Sequence, residues 1–163
     1  MRVPLLLALF LFGCQPEAPV NPAAVLGTGE WDWEALQIED AVPVIQGPQG
    51  GFHLLLSVRV AGLESGNPSD VDDRKNPTTT FQVEYMGTNL SPNAQYIQGL
   101  ELAPDSALPF SHEMVGRFAI LSIESDEELD GAKVDVSVSV EDIHGITVTD
   151  SRSITTYPHP LNN

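Results

Sequence analysis

The chain has 163 residues, enough for one domain with its own core and too few for two of ordinary size. Seven basic against 23 acidic residues give a net charge of −16, which repels phosphate backbones and anionic surfaces and excludes nucleic acid as a natural partner. A single cysteine, Cys14, rules out an intrachain disulfide, a zinc site built on several cysteines and a disulfide-stapled fold, so packing alone must hold the domain together.

Residues 1 to 13 begin with one positive side chain, Arg2, and continue as an almost unbroken apolar run from Val3 to Phe12. The run is shorter than the roughly 20 apolar residues of a membrane-spanning helix, and its order of features is that of an export signal. It ends in Leu11-Phe12-Gly13-Cys14. There the sequence resembles bacterial lipoprotein precursors, whose signal box sets Leu three residues before the cysteine and a small residue directly before it. The resemblance implies cleavage after Gly13, acylation of the Cys14 sulfur and new amino group, and anchoring in the cell envelope. Several acyl chains together make such an anchor stable. Gln15 is similar to the residue found after the cysteine in lipoproteins sent on to the outer membrane of Gram-negative bacteria. An ordinary secretory signal that happens to hold a cysteine is the alternative. Loss of Arg2 leaves six cations against 23 acids, so basic partners or cations suit the mature surface, unless the charge serves solubility alone.

From Gln15 to Leu26 three prolines interrupt a stretch without periodicity, which predicts that residues 14 to 26 form an extended tether. The domain is expected over 27 to 158. Trp31, Trp33 and Leu36 suggest a first strand and Val42, Val44 and Ile45 a second, with the tryptophans packing on a core or an edge. Gly47-Pro48-Gln49-Gly50-Gly51 reads as a turn into a central strand that points Phe52, Leu54, Leu56, Val58 and Val60 to one side. Residues 62 to 77 are a loop, and Thr78 to Met86 returns as a strand with Thr79, Phe81, Val83 and Tyr85 on one face. Tyr96, Ile97, Leu100 and Leu102 suggest one short strand. Between His112 and Ser125 apolar residues fall on both faces, which predicts a strand buried on both sides. Val134, Val136, Val138 and Val140 alternate with polar residues, and Ile146 to Tyr157 completes an antiparallel hairpin before a frayed tail at 159 to 163.

Seven or eight strands with turn signals between them predict an all-β fold, an antiparallel β-sandwich of the immunoglobulin-like type. A small barrel has the same periodicity. Gly27-Thr28-Gly29-Glu30, followed about twenty residues later by the glycine turn, His53 and an apolar strand, is similar to uncharacterised envelope lipoproteins of predatory and myxobacterial-type Gram-negative bacteria. That likeness implies no particular activity.

No nucleophile elbow, metalloprotease helix motif or phosphate-binding loop is present, so no enzyme is expected. Asp126, Glu128 and Asp130 stand at positions one, three and five of an EF-hand-like calcium loop, with Gly131 at six, but Ser137 at position twelve cannot supply the bidentate carboxylate. A solvated acidic turn is the other reading. Gln49, within the glycine turn, and His53, which follows it on the less apolar side of the central strand, are the expected binding residues, His53 otherwise being satisfied by its own turn. Together these features describe a lipid-anchored envelope module that binds or supports a protein or polymer partner, with no cofactor unless calcium enters the acidic loop.

Overall fold

The computed structural model describes residues 20–162, and within them the protein is all-β, with 49% of these residues in strands. In chain order the strands are β1 (Ala23–Thr28), β2 (Glu34–Ala35), β3 (Ala41–Gln46), β4 (Phe52–Ala61), β5 (Thr78–Tyr85), β6 (Thr88–Asn89), β7 (Gln95–Ile97), β8 (Glu101–Leu102), β9 (His112–Leu121), β10 (Lys133–Glu141) and β11 (Thr147–Pro158). Strand β4 lies between β1 and β9, antiparallel to both, and β8 extends β9 at its outer edge. A second group runs β11-β10-β5, with β6 and β7 on the far edge of β5.

Strand β3 joins the two groups. Its first four residues pair with β11 in parallel, and Ile45 and Gln46 then pair antiparallel with His53 and Phe52 across the glycine turn. The sheet is therefore mixed, where antiparallel pairing throughout was expected.

The period-two pattern of the central strands holds in full. Leu54, Leu56, Val58 and Val60 of β4 and Val134, Val136, Val138 and Val140 of β10 are all at most 1% exposed and belong to one buried cluster, with Phe81 and Val83 from β5. Burial of each such side chain favours folding by about 1.5–3 kcal/mol before entropy is counted.

Strand β1 begins inside the stretch read as tether. Ala23 to Gly27 pair with Ala61 to Ser57, and Leu26 is fully buried. At the other end, the tail is docked rather than frayed. His159 donates its backbone N–H to the Val44 carbonyl, and the Asn162 side chain bonds the Val44 carbonyl, the Gln46 N–H and Asp126. The segment read as one strand from Tyr96 to Leu102 is two, β7 on β5 and β8 on β9, separated where Gly99 passes under the Asn67-Pro68 backbone.

Candidate functional site

The site is set by a one-residue irregularity in β9. Leu56 faces Arg117 and Val58 faces Met114, so β9 spends one residue more than β4 over this step. Gly116 takes φ +66 there, and its N–H donates to the buried hydroxyl of Ser57 at 3.0 Å. This is the behaviour of a β-bulge with a left-handed glycine. Because side chains alternate along a strand, one extra residue exchanges the two faces beyond it. Met114 points into the core before the bulge, and Ala119 and Leu121 do so after it. Phe118 and Ile120 are thereby turned outward, 52% and 61% exposed. The expectation of a strand buried on both faces fails for this reason.

The outward face of β1, β4 and β9 is covered in its middle by the residues between β1 and β2. A Cβ on Gly116 would clash with the Glu30 carbonyl oxygen, and one on Gly27 with the Trp33 indole nitrogen. Residues 29 to 33 thus cross the sheet as a strap. Trp33 stacks on the Arg59 guanidinium, 4.2 Å from its ring centre, and Arg59 is paired to Glu113 at 2.7 Å. Neither tryptophan lies in a strand: Trp33 holds the strap down, while Trp31 is 83% exposed.

Beyond the strap the face is open. Gly50 and Gly51, with φ of +81 and +78, close the turn between β3 and β4, and Gly47 donates its N–H to the Gly51 carbonyl at 2.9 Å. L-residues rarely adopt this conformation, so consecutive glycines let the turn form without strain. Under it lies a groove of about 300 Å³, walled by the turn with Phe52, His53, Phe118 and Ile120. Gln49 and His53, singled out from sequence, both line it. The His53 ring meets Phe118 edge to face at 4.6 Å. Burial lowers the His53 pKa from its ordinary 6.5, which favours the neutral ring.

Phe118 and Ile120, inside the stretch expected to be buried on both faces, are the apolar floor of this groove. Their apolar character was visible, whereas the inversion at Gly116 was not.

The acidic candidates do not converge. Asp126 to Leu129 is a single 3-10 turn begun by a capping box, in which Ser125 accepts from the Glu127 N–H and the Glu128 carboxylate accepts from the N–H groups of Glu124 and Ser125 at 2.7 and 2.9 Å. Asp126 accepts from Asn162 at 2.6 Å. Among the described residues no group of three His, Cys, Asp or Glu side chains is arranged to hold a metal ion. The sequence did carry this signal, since Ser125 and Glu128 have the spacing of a capping box. Cys14 lies outside the described residues.

A larger hollow of about 520 Å³ opens over β5, β10 and β11, floored by Thr80, Gln82, Ser137, Ser139, Thr149 and Ser151. These hydroxyl and amide groups, with Val138 and the Asp150 carboxylate, offer no aromatic contact, so the smaller groove has the stronger means of holding a ligand. Comparison of the chain with protein-family models, curated proteins and solved structures gives no match, so the functional reading rests on the geometry of this groove.

Proposed function

We propose that this chain is a lipid-anchored recognition module of the cell envelope, an immunoglobulin-like sandwich that holds a partner in the groove beneath the Gly47 to Gly51 turn. The observation that carries the reading is the pair Phe118 and Ile120, held outward by the bulge at Gly116 on a face whose middle is already strapped. An apolar patch kept open next to a covered one has the character of a binding surface. The strand grouping supports the sandwich: β1-β4-β9-β8 against β11-β10-β5 has the four-and-three order and the chain sequence of a constant-type immunoglobulin fold.

The position at which the chain enters the domain is compatible with the same reading. The Val20 carbonyl sits against Gly62, at the Ala61 end of β4, while the groove lies at the Phe52 end. These ends are about 30 Å apart at the rise of a strand. Cys14 precedes Val20 by six residues, a span of at most about 20 Å. On this reading an acyl chain on Cys14 would reach the domain from the pole opposite the groove.

The reading is tested by chemical crosslinking of intact cells and purification of the anchored chain, wild type against Ile120→Ser. A species recovered with the wild type and lost with the variant, at equal thermal midpoints, supports it. Identical recovery from both counts against it.

A further inference from the structure

Resting on that reading, we infer that the occupant of the groove is a cationic segment of another envelope protein, which seats one aliphatic or aromatic side chain against Phe118 and Ile120 and sets Lys or Arg beside the acidic turn. The walls of the groove contain no charged side chain, and its volume of about 300 Å³ suits one large side chain rather than a folded surface. Its rim is tied to the acidic turn by two hydrogen bonds. Gln46, the residue before the turn, donates its N–H to the Asn162 side-chain oxygen at 2.9 Å, and the Asn162 amide donates to Asp126 at 2.6 Å. Beside Asp126, Glu124 and Glu127 are exposed and have no ion pair among the described residues. The cations that flank this stretch are Arg117 and Lys133, the latter paired to Glu39. An apolar seat next to exposed carboxylates that have no ion pair favours a partner that is apolar and positive together.

The same charge argues against other occupants. A second copy would bring its own acidic turn toward this one, and an anionic lipid surface would be repelled. A neutral glycan would gain nothing from the field.

The test uses the full lipidated chain in phosphatidylcholine nanodiscs and three blocked Gly/Ser peptides, with Lys-Phe-Leu-Lys, Glu-Phe-Leu-Glu or Lys-Ser-Ser-Lys at the centre. The first should bind at least about tenfold tighter than either of the others. Its affinity should fall about tenfold with Ile120→Ser and severalfold with Glu124→Gln/Glu127→Gln, and it should weaken as salt rises from about 50 to 300 mM. Equal affinity for the Glu peptide, indifference to Ile120→Ser, or no binding of the first peptide would overturn the inference. A photocrosslinker at position 120 that captures a glycan or an acidic protein in cells would overturn it while sparing the recognition reading; no adduct at all would overturn both.

Discussion

His53 on β4 and Phe118 on β9 meet edge to face on the solvent side of their sheet, ring centres 4.6 Å apart and planes inclined at 62°. The contact disfavours a charged imidazole, because burial lowers the His53 pKa below its ordinary 6.5. Between its folded value and the unfolded value, the unfolded chain binds the additional proton. The contribution is therefore complete above about pH 6.5 and is lost as the pH falls through that window. His112 acts in the same direction, its burial outweighing the opposing field of Glu64. The thermal midpoint should drop between pH 7.5 and 5, and His53→Gln should remove part of that drop while leaving the His112 part. An unaltered pH profile in the variant would count against this contact.

Gly116 places Phe118 and Ile120 outside, so it is the residue whose replacement should disturb both fold and groove. Gly116→Ala should cost about 1–2 kcal/mol from the left-handed backbone alone, with a further cost because the Glu30 carbonyl occupies the space of a Cβ. Relief of that clash lifts the strap, so Trp33 should lose its stacking on Arg59. Urea unfolding measures the first effect, and a red shift in tryptophan emission reports the second.

Asp142 ties the turn between β10 and β11 to the loop after β4. Burial pushes its carboxyl up, but N–H donors from Glu64, Ile146 and His144 outweigh this and hold it below its usual value. Asp142→Ala leaves these donors unpaired and should cost about 2–3 kcal/mol. Asp142→Asn keeps an acceptor for His144 and Ile146 and should cost less. Equal losses for the two variants in urea unfolding would contradict this assignment.

Asn162 clamps the C-terminal segment to the groove rim and the acidic turn at once. Asn162→Ala should destabilise the domain by about 1–3 kcal/mol. It should also speed amide exchange at Gly47 and Gly50, because the Gln46 N–H that anchors the turn loses its acceptor. Exchange rates unchanged at the turn would separate the tail from the site.

The parts of the fold legible in sequence were those where alternation and burial coincide: Phe52 to Val60, Val134 to Val140, and Thr79 to Val83. Strand β1 was hidden because Ala23-Ala24-Val25-Leu26 has no alternation, and pairing with β4 rather than its own pattern makes it a strand. The glycine turn marked Gln49 and His53, and both line the groove. Its other wall was illegible for a physical reason. Side-chain facing is counted from the strand register, and the bulge at Gly116 shifts that count by one between Met114 and Phe118. The tryptophans misled in a similar way, since Trp33 packs on the outside of the sheet, against Gly27 and the Arg59 guanidinium.

The most direct measurement is site-specific photocrosslinking in living cells, with the photoreactive residue at position 120 in one strain and at 137, on the opposite sheet, in another. The account predicts a defined adduct from position 120 that is absent from 137 and is lost when Phe118→Ser is added. An adduct from 137 alone, or one from 120 that survives Phe118→Ser, would show that the groove is not where this protein meets its partner.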